Sequence, residues 1–436
     1  MDPVTQGLFS FISDSPVSYF TVRTAQQQLL AAGYQPLLES EPWQLQPGTG
    51  YFVLCNQSSL VAFRMPEDPA AAPGFMIAAA HTDSPCLRIK ENAELALEGY
   101  TKLDVEKYGG LIRSAWMDRP LSVAGRLLLS TDAGIETRLI DFNRDLAVIP
   151  SLAIHMDRTI NGGKSISIQT DLLPLMCKGK LDFVALAAQE AGVTPEQVLS
   201  YDLFLYNRTP GTVVGVNGEF ILAPRLDDLQ CAYALLQGFL QTTVPHAVPV
   251  LALFDNEEIG SQTRQGALSP FLQDVLRRIS LQTGTGAENG EAGYLRRLAS
   301  SMLVSADNAH GVHPNHPEKA ALTCRPKLGD GIVIKYGEGY STSGISAALL
   351  RRILQGTDIP LQTYYNHSDI AGGHTLGNLA TTQLPVCTVD IGLAQLAMHS
   401  AVETAGTADT EYMIRAMKAF FTAGINELSA GDYHIL

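Results

Sequence analysis

Three segments of the chain are continuously apolar, at residues 74–80, 248–254 and 302–306. None of them shows the alternation of apolar and polar positions that a half-exposed strand would have. A continuous apolar run of this length is typical of a strand that is buried on both faces in a mostly parallel sheet. The sequence therefore predicts a layered α/β domain.

Helical spacing of apolar residues occurs around these runs. Residues 18–32 carry apolar side chains every three or four positions, and Gly33 is placed to end the helix. The same spacing recurs at residues 229–240 and 271–279. These segments predict helices that flank the sheet.

Residues from about 93 to 212 have a different pattern. Short apolar runs bounded by turn-forming residues predict antiparallel strands at residues 121–129, 147–152 and 165–169. The α/β pattern resumes after Gly215. We therefore predict that residues 1–92 and 213–436 form one domain, and that residues 93–212 form an inserted, antiparallel β-rich second domain.

The composition narrows the class of protein. Of the 436 residues, 46% are hydrophobic, which is enough for a sizeable core. The formal net charge is -14, from 30 Lys and Arg against 44 Asp and Glu. Because no segment concentrates the basic residues, a nucleic-acid partner is excluded.

The sequence also bears on cellular location. No apolar run is long enough to cross a bilayer, which argues against a membrane protein. The N-terminal segment lacks the basic start of an export signal, and the six cysteines form no CxxC pair. We expect a cytoplasmic protein with reduced thiols.

Ligand-type side chains follow each of the three apolar runs. His81 comes directly after the first run, and Asp83 can fix the tautomer of a metal-binding histidine. Glu257 and Glu258 belong to an acidic cluster after the second run, where repulsion between carboxylates is costly without a cation. Asp307 follows the third run. Because strand ends build α/β active sites, we expect these side chains to meet at one edge of the sheet.

Two further candidates stand apart from these runs. Asp227 begins the predicted helix at residues 229–240, where an Asp is more often an N-cap than a ligand. His399 follows an apolar segment at residues 385–393. Taken singly, each candidate also has a structural explanation, since strand-end histidines often pack and acidic runs are often solvated loops.

As a set, the candidates supply two imidazoles and three carboxylates. This mixture is expected for two zinc-like ions that share one bridging carboxylate. Its members are His81, Asp227, Glu258, Asp307 and His399.

These motifs resemble those of the aspartyl aminopeptidase family of dinuclear zinc peptidases, over nearly the whole chain. Five motifs occur in the family's order, at residues 79–85 (AAHTDSP), 225–227 (RLD), 255–261 (DNEEIGS), 305–310 (SADNAH) and 397–400 (AMHS). The resemblance implies a zinc-peptidase type of α/β fold, in which helices flank a mixed, mostly parallel sheet. It also implies an inserted domain at about residues 93–212.

The resemblance further implies a role for each matching residue. Asp227 would bridge two ions, with His81 and Asp307 completing one site and Glu258 and His399 completing the other. The ions are expected to be zinc, with cobalt and manganese as alternatives.

Two more roles follow from the same motifs. Asp83 matches the carboxylate that orients His81, and Glu257 matches the general base that deprotonates a water molecule.

The family's inserted domain forms dimer contacts within a tetrahedral dodecamer, so the resemblance implies a homo-oligomer of that kind. Residues 149–158 look like the family's insert motif, whose histidine approaches the active site of a neighbouring subunit. His155 is therefore a candidate catalytic and substrate-binding group supplied to a neighbour. The alternative is a solvent-facing loop histidine.

The implied activity is the removal of single N-terminal residues from small peptides with a free N-terminus. Family members that prefer acidic N-terminal residues are expected to place cationic groups in the first pocket, and Lys335 matches such a position. The alternative is a surface lysine at a strand end.

The pocket loop departs from the family pattern. Residues 366–377 resemble the family's glycine-rich loop, but His367 stands where many members have Arg, and His374 where they have a small hydroxyl residue. Losing a permanent cation weakens selection for an acidic side chain. A preference for Asp or Glu and a broader or neutral preference therefore both stay open.

Two other functions fit the residues. A related dinuclear amidohydrolase would act on N-acyl amino acids and would need no free α-amine. A self-assembling shell protein would carry a vestigial site, but such a site has no reason to keep a costly cluster of carboxylates.

Overall fold

The computed structural model describes residues 1–283, 290–370, 372–373 and 375–436. The helices are α1 Pro3–Ser13, α2 Ser18–Ala31, α3 Ile168–Asp171, α4 Phe183–Ala191, α5 Leu226–Leu240, α6 Phe271–Thr283, α7 Glu291–Ala299, α8 Gly344–Ile353, α9 Leu376–Ala380 and α10 Asp409–Thr422.

The strands form a large sheet, a smaller sheet and a hairpin of two strands. They are β1 Gln35–Leu37, β2 Gly50–Cys55, β3 Ser59–Arg64, β4 Phe75–His81, β5 Cys86–Leu97, β6 Tyr100–Tyr108, β7 Leu121–Thr131, β8 Gly134–Asp141, β9 Leu175–Lys178, β10 Val198–Asn207, β11 Thr212–Val214, β12 Phe220–Ala223, β13 Val248–Phe254, β14 Met302–Ala306, β15 Ala309–His310, β16 Ile332–Lys335, β17 Leu361–Tyr364, β18 Cys387–Leu396, β19 Glu403–Gly406, β20 Ile425–Ser429 and β21 Asp432–Ile435.

The centre of the large sheet is parallel. Strand β4 pairs in parallel with β13 on one side and β14 on the other, and β14 pairs in parallel with β18. Antiparallel strands extend both edges, β3 and β2 on one side and β19, β12 and β11 on the other. The predicted α/β fold with a mixed sheet flanked by helices is confirmed.

The continuous apolar runs exist because helices cover both faces of this sheet. Along β4, Met76 and Ala78 pack into a core formed with α1, α2, α5, α8 and α10. Phe75 and Ile77 pack into a second core formed with α6, α7 and α9. Successive side chains of a strand point to opposite faces, so a strand between two cores is apolar at every position.

The smaller sheet is antiparallel throughout, in the order β8-β7-β10-β5-β6-β9. Its core lies between the sheet and α4, and includes Leu103, Leu203 and Phe183. Its strand β5 begins at Cys86, so the predicted boundary at residue 93 falls inside a continuous strand. The boundary was placed too late because the site motif ends at Pro85, one residue before the new sheet starts.

Two strands predicted in this region are wrong. Around residues 147–152, only Ala147 and Val148 form isolated bridges, and Pro150 has no N–H to continue the pairing. Residues 165–169 have the alternation of a strand, but Ile168–Asp171 is a one-turn helix. The Asp171 carboxylate accepts a hydrogen bond from the backbone N–H of Ser167, which stabilises that turn.

Among the residues described, none of the helices has the length and apolar character needed to span a membrane.

Candidate metal centre

The carboxyl ends of the central parallel strands meet at one edge of the large sheet. His81 ends β4 and is paired with Phe254 at the end of β13. Glu257 and Glu258 follow β13, and Asp307 follows β14. The sheet therefore brings together the side chains that were predicted from the three apolar runs.

Asp227 reaches the same edge from the start of α5. Arg225 has a left-handed backbone conformation (φ 58°), and Asp227 itself has non-helical dihedral angles. Its carboxylate caps no helix. Oδ1 lies 3.3 Å from Nε2 of His81, and Oδ2 lies 3.5 Å from Nε2 of His399. One carboxylate thus faces both histidines.

Two groups of candidate ligands share Asp227, and a third group joins His81 with Glu257 and Glu258. Nε2 of His81 also lies 3.9 Å from Oδ1 of Asp307. Nε2 of His399 also lies 3.5 Å from Oε2 of Glu258. Within each group, the nitrogen and oxygen atoms lie within 4.8 Å of one another, as the ligands of one ion must.

A hydrogen bond at the other ring nitrogen holds each histidine. Nδ1 of His81 lies 3.0 Å from the backbone oxygen of Asp83 and 3.4 Å from Oδ1 of the same residue. Nδ1 of His399 lies 2.9 Å from the backbone oxygen of Gly110. Both rings therefore present Nε2 to the cluster, which is the usual arrangement around a metal-binding histidine.

Asp83 is itself fixed by several donors. Its Oδ1 accepts a hydrogen bond from the backbone N–H of Glu257 (3.2 Å). Its Oδ2 accepts one from the backbone N–H of Glu258 (3.2 Å) and one from the hydroxyl of Tyr108 (2.7 Å). The carboxylate that contacts His81 thus also anchors the two glutamates.

Sequence reasoning missed Glu403, which connects two of the candidate ligands. Glu403 is buried, and its two carboxylate oxygens accept hydrogen bonds from the backbone N–H groups of His399 (2.7 Å) and Asp227 (3.0 Å). Burial and the charge of Asp227 raise its pKa to about 8, although both hydrogen bonds oppose the rise. Its position four residues after His399 in the sequence was the available signal.

Asp228 was also missed. It is fully buried, its Oδ2 accepts a hydrogen bond from the backbone N–H of His81 (3.1 Å), and it belongs to the same group as His81, Asp227 and Asp307. The adjacent pair of acids at 227 and 228 was visible in the sequence, but nothing in the sequence indicated that the second one turns inward.

The electrostatics of the cluster favour a cation. Burial raises the pKa of Glu258 well above its usual range, although the charge of His399 lowers it. Burial disfavours the charged ring of His399, but the carboxylates beside it, Asp227 first, raise its pKa to about 10. Glu258 and His399 therefore keep their protons because the carboxylates lie close together, and a cation at this place would offset the same negative charge.

Some carboxylate oxygens of the cluster lack a hydrogen-bond donor. Across the described part of the chain, Oδ1 of Asp227 and Oε1 of Glu258 are buried without a hydrogen-bond partner. Unpartnered buried oxygens are costly, and a divalent ion would satisfy them. Imidazole nitrogens together with carboxylate oxygens are ligands that zinc, cobalt and manganese accept, so the residues fit such ions.

Lys335 is not a surface lysine, because its side chain is buried. Its ammonium group donates to the backbone oxygen of Asp307 (2.8 Å) and lies 3.5 Å from Oδ2 of that residue. It also lies 5.3 Å from the centre of the Tyr340 ring. The positive charge of Lys335 is therefore engaged with a candidate metal ligand.

A cavity of about 390 Å³ is lined by residues close in sequence to two candidate ligands, and one of these lining residues, His310, is within reach of the charges of Asp227 and Asp307. His310, which follows Asp307 by three residues, and Ala397, which precedes His399 by two, both line it. His367 lines it as well, and its Nδ1 accepts a hydrogen bond from the backbone N–H of Asp369 (3.1 Å). This hydrogen bond occupies Nδ1 of His367, so only Nε2 of its ring remains to face a bound side chain.

One predicted site residue, His155, does not take part in this arrangement. His155 lies in an exposed segment of the smaller sheet's domain. In the described part of the chain, none of the cluster's hydrogen bonds or ion pairs involves it. His374 lies outside the described residues.

Comparisons with known proteins identify the family that the chain resembles. The model of a family described as "Aminopeptidase I zinc metalloprotease (M18)" matches residues 11–421. A "Probable M18 family aminopeptidase 2" from Stutzerimonas stutzeri is 40% identical over 432 residues, which cover 97% of this chain and 99% of that protein. A protein of the same name from Clostridium novyi is 40% identical over 425 residues, covering 95% and 97%.

Solved structures are similar over the same length. A chain in the "Cryo-EM structure of the Ape4 and Nbr1 complex" has a TM-score of 0.91 and 32% identity, covering 96% of this chain and 85% of that chain. The "Structure of S. cerevesiae mApe1 dodecamer" has a TM-score of 0.82 and 26% identity, covering 96% of both chains.

Proposed function

Since the chain belongs to the M18 family of aminopeptidase I zinc metalloproteases, we propose that it removes single N-terminal residues from small peptides at a centre of two divalent ions. The predicted resemblance to aspartyl aminopeptidases is confirmed at the level of the family, and the chain is an aminopeptidase. The observation that carries the proposal is the sharing of Asp227, which turns one carboxylate oxygen to His81 and the other to His399.

The residues divide the work of holding the ions. His81 and Asp307 would complete one site, Glu258 and His399 would complete the other, and Asp227 would serve both. When bound, the two ions would act as Lewis acids that lower the pKa of a water molecule, polarise the scissile carbonyl and hold the free α-amine. Zinc is the leading candidate, with cobalt and manganese as alternatives.

Glu257 would move the proton. Its side chain is only partly buried, unlike that of Asp83, which anchors its backbone N–H. Burial raises the pKa of Glu257 to about 8, and nearby carboxylates add to the rise. A carboxyl group with a pKa close to neutral can take a proton from the attacking water and give it to the departing nitrogen.

The cavity lined by His310 and His367 would receive the side chain of the N-terminal residue. Nδ1 of His367 is already occupied by the backbone N–H of Asp369, and the ammonium group of Lys335 is already engaged with Asp307, so neither is free to pair fully with an acidic side chain. This arrangement supports a broader preference that includes neutral residues, with Asp and Glu still accepted.

Assembly and location are further parts of the proposal. We propose that the smaller sheet's domain forms dimer contacts within a tetrahedral dodecamer, in which the exposed His155 reaches a neighbouring site. The support is a similar chain whose solved structure is described as a dodecamer. The cytoplasmic location stays a prediction from the sequence.

A panel of aminoacyl-p-nitroanilides tests the activity. Free and N-acetylated forms of Asp, Glu, Leu, Met and Lys would be assayed before chelation, after chelation and after zinc is restored. The proposal expects hydrolysis of the free forms that chelation abolishes and zinc restores. Turnover of the acetylated forms alone would favour the N-acyl amidohydrolase, and no turnover would favour the shell protein.

Two matched glutamate variants test the mechanism. Glu257→Gln should keep its zinc and its assembly but lose about 10²- to 10⁴-fold in turnover, because only the proton carrier is removed. Glu258→Gln should instead bind zinc more weakly. Full activity in Glu257→Gln would refute its role as the base.

A further inference from the structure

A short segment of the smaller sheet's domain passes next to the cluster of candidate metal ligands. This crossing segment, residues 108–112, leaves the sheet at the end of β6. Gly109 has φ +75°, and a Cβ added to it would lie 3.1 Å from Cβ of Glu258. A Cβ on Gly110 would lie 3.5 Å from Nδ1 of His399. The two glycines let the backbone approach the cluster closely.

Tyr108 connects the crossing segment to Asp83, which contacts His81. Its hydroxyl donates to Oδ2 of Asp83 (2.7 Å) and accepts a hydrogen bond from Nδ2 of Asn256 (2.8 Å). Burial raises the pKa of the Tyr108 hydroxyl, so it stays a donor. The Asn256 side chain is held in turn by Thr263 and Gln265 (2.8 Å each). Tyr108 therefore reaches Asp83 within a fixed chain of hydrogen bonds.

The same segment also contacts His399, in the group with Asp227 and Glu258. The backbone oxygen of Gly110 faces Nδ1 of His399 at 2.9 Å, and the backbone N–H of Ile112 donates to the backbone oxygen of His399 (2.9 Å). His399 has a left-handed backbone conformation (φ 67°), which is costly for a non-glycine residue. Contacts on both its ring and its backbone hold it in that conformation.

We propose that the crossing segment makes the inserted domain part of the metal centre of its own chain, with Tyr108 as a positioning residue that acts on His81 through Asp83. The inference rests on the proposed function, since it assigns the segment to the ions placed there. It is independent of any contact that the inserted domain makes with another copy. The domain then has a task within each subunit as well as any task in assembly.

The physical reason is the orientation of the two histidines. A metal-binding imidazole is held by a partner on its second nitrogen, and loss of such a partner typically lowers metal affinity about 10- to 100-fold. Without the Tyr108 hydroxyl, Oδ2 of Asp83 keeps only the backbone N–H of Glu258 at 3.2 Å. Asp83 then holds His81 less firmly. The His81 ring is free to adopt more orientations, and fixing one of them when an ion binds costs more conformational entropy.

Tyr108→Phe in the full chain tests the inference, with Tyr206→Phe as its matched control. Both rings lie in the same aromatic cluster as Phe204. The hydroxyl of Tyr206 donates instead to Oδ1 of Asp141 (2.8 Å), which is not one of the candidate metal ligands. Each variant therefore removes one hydroxyl and one hydrogen bond to a carboxylate; Tyr108→Phe also removes the acceptor of Asn256, and only Tyr108 contacts Asp83.

The measurement is the zinc dissociation constant of each metal-free chain, from competition with a chromophoric chelator. Tyr108→Phe should bind zinc up to about 10-fold more weakly than the wild type, at the low end of the loss for a direct partner because the Asp83 backbone oxygen still holds Nδ1 of His81, and Tyr206→Phe should match the wild type. The absorption spectrum of the cobalt-loaded chain should change in Tyr108→Phe alone. Size-exclusion chromatography should give the same assembly for all three chains.

Other outcomes would overturn the inference. Equal zinc affinity and equal cobalt spectra in Tyr108→Phe and the wild type would show that the segment does not position the ligands. An equal loss in both variants would assign the effect to packing. If the wild type bound no zinc, the proposed function would fail first and the inference with it.

Discussion

Replacing Glu403 by Gln should weaken metal binding without removing any proposed ligand. The carboxylate of Glu403 accepts hydrogen bonds from the backbone N–H groups of His399 (2.7 Å) and Asp227 (3.0 Å). Gln has one acceptor oxygen and one NH₂ group, so one of the two N–H groups would face another donor. The perturbation leaves side-chain size and every proposed ligand unchanged.

The size of the effect follows from that one lost contact. Above a pH of about 8, where Glu403 is charged, a hydrogen bond to it contributes about 1.5–3 kcal/mol, and about 1.4 kcal/mol corresponds to a factor of ten, so zinc affinity is compared at about pH 9. The expected loss in zinc affinity is therefore about ten- to a hundredfold, which agrees with the usual effect of removing a partner of a metal-binding histidine. The loss should fall on the group formed by Asp227, Glu258 and His399.

Asp409→Asn is the matched control for this experiment. Asp409 is also buried, and its two oxygens accept hydrogen bonds from the backbone N–H groups of Gly329 (2.7 Å) and Gly331 (2.9 Å), outside the cluster. Zinc affinity would be measured by chelator competition, and unfolding by denaturant. Asp409→Asn should lower stability but leave zinc affinity unchanged. Unchanged zinc affinity in Glu403→Gln, or an equal loss in Asp409→Asn, would refute the reasoning.

Three further changes have defined outcomes. Lys335→Met leaves the Asp307 carboxylate without its buried cation. The metal-free chain should therefore lose about 3–5 kcal/mol in the free energy of unfolding by denaturant, and the zinc-loaded chain should lose less. Equal losses in the metal-free and zinc-loaded chains would contradict this. His367→Arg restores a permanent cation to the cavity and should raise the ratio of Asp to Leu p-nitroanilide turnover, whereas an unchanged ratio would place His367 outside the substrate pocket. Gly238→Ala puts a Cβ 2.7 Å from Cβ of Met417 between α5 and α10, so thermal unfolding should show a loss of about 1–3 kcal/mol, and unchanged stability would contradict that close approach.

The centre of the fold could be predicted because its physical cause is local in the sequence. A strand covered on both faces is apolar at every position, and β4, β13 and β14 all have that pattern. The residues that follow such strands lie at the edge of the sheet, so His81 and Asp307 could be placed together in advance.

The surroundings of the ligands could not be predicted in the same way. Gly110 and His399 are 289 residues apart in the chain, and no periodicity relates them. Tyr108 acts through hydrogen bonds with Asp83 and Asn256, and Glu403 through hydrogen bonds from the backbone N–H groups of His399 and Asp227, and no pattern in the sequence relates these partners. The start of β5 at Cys86 was misplaced for a related reason, since the chain passes from one sheet to the other without a linker.

The order of the cluster along the chain also bears on biosynthesis. A ribosome makes His81 early, then Asp227, Glu258 and Asp307, and His399 last of the five. N-terminal parts of a protein begin to fold while later parts are still being made. The group formed by Asp227, Glu258 and His399 cannot close until His399 has emerged, although the large sheet's first strands can already pair. A nascent chain would therefore acquire its proposed activity only after all the residues from His81 to His399 have been made.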